Sequence, residues 1–261
     1  MREQLHDLYK HRELFYTIVC RDIKVRYKQS VMGFLWAILM PTLILLAGVI
    51  VRYGFALASG KHLETMDIAS VAVKSVPWAF LVSSIRFASN SLISNRELVT
   101  KIYFPKEIFP LAAVLACFFD FLVASGALVI LLLVLKTGWT MTLLWVPTLL
   151  VMMALLAAGI GMMVSAAGLF FRDVKYIVEA VLTFGIFFTP VLYDTRVFGQ
   201  NGKWLLLNPA APILEGISDC VIRHQSPDLS WFVYSLGFSM LTLLCGYAFF
   251  KHLEPAFAES I

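Results

Sequence analysis

Three ionisable side chains, Arg86, Asp120 and Glu179, fall within stretches apolar enough to enter a lipid bilayer. Charge at that depth is costly, so such residues face a partner, a water-filled cavity or a transport path. They are candidates for function on that ground. The alternative is a structural ion pair, or a position nearer the membrane surface. They do not form a series along one helix, which argues against a proton relay and an ion-coupled pump.

Other chemistry is missing from the sequence. It holds no HExxH, no GxSxG and no cluster of histidines. The stretch GFALASGKH resembles a phosphate-binding loop, but five residues separate Gly54 from Gly60 where the motif needs four. His62 also stands after Lys61, where the motif needs Ser or Thr. Gly159 and Gly161 lie in an apolar run with no strand before them, which dismisses a dinucleotide loop. Cys20, Cys117, Cys220 and Cys245 are scattered without a CxxC pair and read as small hydrophobes. The chain therefore reads as no enzyme, with no cofactor or metal of its own.

The elements that position these residues are set by composition. The chain is 60% hydrophobic and 15% charged, against about 25% charged in a soluble domain. It reads as an all-α integral membrane protein. The first thirty residues carry 7 of the 21 Lys and Arg, and the next 21, Val31 to Val51, carry no charge. A charged stretch and an apolar run of these lengths do not fit a cleavable signal peptide. About 20 apolar helical residues cross a bilayer core, and six spans follow: 31–51, 71–94, 111–135, 141–171, 176–193 and 229–250. The intervals that an even span count puts on the N-terminal side hold 13 basic residues, against 7 opposite, with Arg52 and also Lys74, near the start of span 2, counted among the latter. Basic residues favour the cytoplasm, so both termini are expected there. The net charge of +4 sits mainly at the N-terminus and gives no reason to expect a nucleic-acid partner.

Two segments do not fit a simple bundle. Over 8–28, helical spacing gathers Lys10, Glu13, Arg21, Lys24 and Lys28 on one face, with Phe15, Ile18, Val19 and Ile23 opposite. That pattern predicts a helix along the membrane surface, with Asp22 and Arg26 placed to pair. It reads either as a solvated anchor or as a docking surface for a cytoplasmic partner. The second segment, 204–222, is mostly apolar, yet Pro209, Pro212, Glu215 and Asp219 make it a poor span. Asn208 can cap a helix that starts at Pro209. Re-entrant short helices on the outer side fit best, against a cavity; a loop on lipid headgroups is the alternative.

Three further features bear on function. Small residues in span 4, notably Ala157, Gly161 and Ser165, permit close helix approach, chiefly within the chain. The cytoplasmic connector 95–110 is amphipathic, broken by Pro105 and Pro110, and suited to carry a push from a soluble partner. Aromatics crowd span 1 (Trp36) and span 5 (Phe184, Phe187, Phe188, Tyr193). They read as core, as interface belt, or as rings that stack on sugars in a hydrated path.

Four stretches taken together carry a resemblance: DIKVRYKQSVMGFLWAILMPTL (22–43), SNRELVTKIYFPKEIFPL (94–111), FFRDVKYIVEAVLTFGIFFTPVLYD (170–194) and LLLNPAAPILEGI (205–217). In this order they resemble the membrane subunits of ABC-2 exporters, in the branch that exports O-antigen, capsule and teichoic acid. The resemblance implies residues 1–30 as a cytoplasmic interface helix and 31–261 as one six-span domain. It implies a homodimer in the bacterial inner membrane with two ABC ATPase subunits, which hold the ATP and Mg2+, and a lipid-linked glycan as substrate. Contacts to the ATPase would fall on Arg21, Lys24, Asn95, Arg96, Glu97, Lys101, Pro105 and Lys106. Spans 1 and 5 would line the path with Trp36, Phe184, Phe187, Phe188 and Tyr193. Asn208, Pro209, Pro212 and Glu215 would form an outer gate. Arg86 departs from the neutral residue that the resemblance leads one to expect in span 2. A lipid or drug exporter of the same superfamily, or a channel or secondary transporter without an ATPase, are the alternatives.

Overall fold

A computed structural model describes residues 10–28, 33, 35–59, 65–101 and 104–257, without the side chains of Phe55, Ala58, Ser59 and Lys101. Among the described residues there is no strand. Helix α1 is Arg12–Lys28, α2 Leu35–Ser59, α3 Thr65–Ser94, α4 Arg96–Lys101 and α5 Ile108–Val134. A 3-10 turn, Met141–Leu144, leads into α6, Trp145–Phe170, and α7 is Val174–Phe188. A 3-10 stretch, Thr195–Leu207, is followed by α8, Ala210–Ser218, a π turn, Asp219–Arg223, and α9, Leu229–Leu253, which ends in a 3-10 turn, Glu254–Ala256.

Five helical segments are long and apolar enough to cross a bilayer: Leu35–Gly54, Thr65–Ser94, Ile108–Val134, Met141–Phe170 and Leu229–Ala256. They match five of the six expected spans. The expected first span begins at residues that lie partly outside those described. The expected fifth span, 176–193, is corrected. Its helix has 15 residues and stops at Phe188, a length of about 22 Å at 1.5 Å per residue. Residues 189–194 are not helical, so Tyr193 lies beyond the helix. Thr189 closes it by donating its hydroxyl to the Gly185 carbonyl at 2.8 Å.

Helix α3 is the central post. Eighteen of its 30 residues are buried, and α2, α5, α6, α7 and α8 all pack on it. Its serines allow that. Without a hydrophobic drive between helices in lipid, small residues and side-chain hydrogen bonds hold them together. Ser91 and Ser165 join α3 to α6 at 3.1 Å. Large apolar side chains instead point outward, among them Leu43, Ile50, Leu122, Ile130, Val151 and Leu241.

The small residues of span 4 are used within the chain. A Cβ at Gly161 would sit 2.8 Å from the Ala88 Cβ, and one at Gly159 2.6 Å from the Thr242 carbonyl. A Cβ at Gly246 would lie 2.3 Å from the Gly159 oxygen. Helices α6 and α9 thus cross backbone to backbone. Gly246→Ala must force them apart and should lower stability by about 1–3 kcal/mol. Thermal unfolding of the purified chain in detergent checks this; an unchanged midpoint contradicts the close crossing.

Candidate functional site

Charged side chains gather at three levels of the bundle, and at each they tie a short or irregular element to a long one.

At the end where α2 finishes and α3 begins, the Lys74 side chain is 0% exposed. Its ammonium pairs with Asp194 and with Glu215, the latter at 3.1 Å, and faces the Tyr193 carbonyl at 3.4 Å. Asp194 also meets Arg52 at 3.1 Å, Arg223 at 3.2 Å and the Ser70 hydroxyl at 3.2 Å. Arg52 reaches Asp67 at 2.7 Å, and Ser70 meets Ser218 at 3.0 Å. Glu215 accepts the Thr195 backbone N–H at 3.0 Å. Asp219 pairs with Arg223 and, at 3.2 Å, with Arg196. Four cations thus meet four carboxylates.

All nine residues of α8 are buried, and it packs on α3, α6 and α9. Asn208 starts it as expected, accepting the Ala210 N–H at 3.2 Å while its amide donates to Thr189 at 2.8 Å. Pro209 precedes the helix, and its carbonyl accepts from Ser235 at 3.1 Å. Pro212 sits in the first turn, where a missing N–H leaves no bond broken. The four expected gate residues therefore lie in one segment. Glu215 is not open to a path here; it is held by Lys74 and Thr195.

At mid-height, Arg86 grips Glu179 through Nε at 2.8 and 3.1 Å and through Nη2 at 2.8 Å. This fork ties α7 to α3 and explains the arginine in span 2. Only Val178 and Leu182 of α7 are buried. Phe184, Phe187 and Phe188 are 61%, 59% and 71% exposed, and Trp36 on α2 is 46% exposed. Within one chain these rings are therefore not core. Tyr193 is half-buried, donates to the Phe187 carbonyl at 2.7 Å and packs edge-on to Phe198. A cavity of about 320 Å³ opens between α2, α3 and α5, with Trp36, Arg86 and Asp120 on its walls.

At the amino-terminal end, Ile18 and Val19 of α1 are buried with Leu92, Val99, Phe104 and Phe109. The apolar face predicted for α1 thus meets protein. The expected pair Asp22–Arg26 is corrected. Arg26 pairs with Asp120 of α5 and lies 4.0 Å over the Phe87 ring, while Asp22 takes Arg21 at 2.8 Å. Asp120 offers a desolvated charge that a surface neighbour cannot match. Tyr27 also donates to Asp120; burial and that carboxylate push its phenol up, so it stays protonated.

Of the residues expected to meet a partner, Lys24, Arg96 and Glu97 are exposed and Arg21, Asn95, Pro105 and Lys106 are half-buried. The Lys101 side chain lies outside the described residues. Asn95 donates to the Ser91 carbonyl at 2.7 Å and so ends α3. Buried Glu107 meets Lys251 at 2.8 Å, Lys251 meets Glu254 at 2.8 Å, and the Lys106 N–H reaches Glu254 at 3.4 Å. The connector is thereby braced against α9. Sequence reasoning missed this brace and the cluster around Lys74. Its one signal for the cluster was a lysine inside an apolar span.

This is a multi-pass all-α membrane protein with a buried ionic cluster at one end and a charged surface at the other. The chain belongs to the ABC-2 type transporter family, whose model matches residues 13–222. It is 25% identical over 260 residues to the O-antigen export system permease protein RfbA of Myxococcus xanthus, covering 98% of each chain. It is 28% identical over 253 residues to a Klebsiella pneumoniae protein of the same name, covering 95% of this chain and 94% of that one.

Cys117 is fully buried beneath the Arg26 guanidinium, 3.8 Å from its sulfur. Asp120→Ala should release α1 and speed maleimide labelling of Cys117 several-fold, read site by site by mass spectrometry. Unchanged labelling contradicts the anchoring role of Asp120.

Proposed function

We propose that this chain is the permease subunit of an ATP-driven exporter that moves a lipid-linked polysaccharide of the O-antigen type out of the bacterial cytoplasm. The observation that carries the reading is similarity over nearly the whole chain to O-antigen export permeases, in two organisms. The names of these relatives favour a glycan over a lipid or drug. Family membership and the absence of a nucleotide-binding motif favour a separate ABC ATPase, which would hold the ATP and Mg2+, over a channel or secondary transporter.

In this reading both termini face the cytoplasm, and α1 with the 95–106 connector docks the ATPase. Lys24, Arg96 and Glu97 offer exposed charge for it. Two copies pair across α2 and α7 and enclose a path lined by Trp36, Phe184, Phe187, Phe188 and Tyr193. The segment after Phe188 completes the fifth crossing, which α7 begins, and the re-entrant α8 gates the outer end. A sugar polymer needs such a path because each unpaired hydroxyl costs roughly 1–3 kcal/mol to bury. Aromatic faces give stacking surface without removing the water around hydroxyl groups.

Two outcomes test this. Alanine at Trp36, Phe184, Phe187 or Phe188 should change chain stability by less than about 0.5 kcal/mol, as for exposed sites, yet reduce surface glycan. If export is unchanged for all four, the path assignment fails. Glu97→Lys should weaken copurification with the ATPase or uncouple its hydrolysis from export; normal assembly and export would exclude Glu97 from coupling.

A further inference from the structure

Lys74 is the side chain of the central helix α3 that meets carboxylates at both ends of the irregular segment; Arg223, on the π turn, meets the same two at 3.2 and 3.9 Å. Asp194 stands immediately before the 3-10 stretch Thr195–Leu207, and Glu215 lies in α8 beyond it. Both carboxylates meet the same ammonium, Glu215 at 3.1 Å. The third neighbour is the Tyr193 carbonyl at 3.4 Å. An ammonium has three donors, and three acceptors surround this one. The Thr195 N–H to Glu215 bond, 3.0 Å, ties the two ends to each other. Between them the chain is only loosely built: the 3-10 stretch breaks at Gly199, with φ 54°, and Val197 and Trp204 are 64% and 74% exposed. The segment is therefore held to the central helix at its two ends, with Val197 and Trp204 turned outward between them.

We propose that Lys74 is a positioning residue that latches the outer segment shut over the transport path. The proposal rests on the exporter reading for the existence of a path, though not on which polymer passes. To open, Asp194 and Glu215 must leave Lys74 together, because the Thr195 bond couples them. Lys74 also fixes the backbone of Tyr193, so the latch sets the last ring of the proposed path along with the gate.

The surroundings make this separable from folding. With Lys74 replaced, Asp194 keeps Arg52 and Arg223, and Glu215 keeps the Thr195 N–H with Arg223 at 3.9 Å. No carboxylate is left without a partner. Lys74→Met preserves much of the side-chain volume and removes the ammonium, leaving the Ser70 hydroxyl on Asp194 in place.

The test uses the full chain assembled with its ATPase partner, in proteoliposomes loaded with radiolabelled sucrose and without ATP. Sucrose reports a gap at the gate whatever the natural substrate is. Lys74→Met should raise passive efflux by about tenfold, because losing a contact made only in the closed state shifts the population toward the open one. Lys74→Arg should restore tightness, because it keeps the charge. Wild-type tightness in assembled Lys74→Met, or equal leak in Lys74→Arg, overturns the latch. If Lys74→Met fails to assemble, Glu215→Gln takes its place: it keeps an acceptor for the Thr195 N–H and loses the ion pair. A tight Glu215→Gln vesicle then overturns the proposal. Loss of glycan export with no leak in either variant counts against the latch and leaves the exporter reading intact.

Discussion

A charge inside a bilayer must be paired, and this constraint orders the whole molecule. The five long helices have the length and apolarity to cross it and pack on one another through small residues and serines. The other elements are shorter, and each is fixed by an ion pair to a long helix. Arg26 and Asp120 hold α1 to α5. Arg86 and Glu179 hold the short α7 to α3. Lys74 holds the segment that leads into α8 to the same α3. Lys251 and Glu107 brace the connector against α9. Buried ion pairs add little net stability, since desolvation offsets their attraction, but breaking one by removing a partner costs about 3–5 kcal/mol. Their contribution here is therefore to placement: each joins a short piece to one site on a long helix.

Helix α3 carries two of these attachments, at Lys74 and Arg86. They are 12 residues apart, about 18 Å along the helix. The outer segment and the proposed path helix α7 thus share one rigid support. The connector that follows α3 directly begins at Asn95, on the opposite end from Lys74. In the proposed exporter a displacement at the ATPase face enters the helix that carries both the path and the gate.

Much of this was legible in the sequence. Length and apolarity located five spans, and the hydrophobic stripe of α1 found its buried face. Asn208 marked the start of α8, and Ala157, Gly161 and Ser165 marked a close-packed seam. What failed depended on distance along the chain. Asp22 lies four residues from Arg26 and Asp120 lies 94 away, and helical spacing favours the near partner; the tertiary pair wins because it is desolvated. Lys74 and Arg52 were counted as loop charges because Asp194 and Glu215 are remote in sequence. The fifth span read as continuous because apolar content runs past Thr189, and composition does not reveal a side chain that caps the helix.

In the proposed exporter, a glycan moves through this chain only as a separate ATPase hydrolyses ATP. The most direct measurement reconstitutes permease and ATPase into inverted vesicles with a lipid-linked O-polysaccharide outside. The glycan reaching the lumen is then scored by its protection from added glycosidase. Protection is expected only when both subunits and hydrolysable ATP are present, and none with the permease alone. Protection by the permease without ATPase or nucleotide, or none in the complete system while a lipid without glycan is moved, would contradict it.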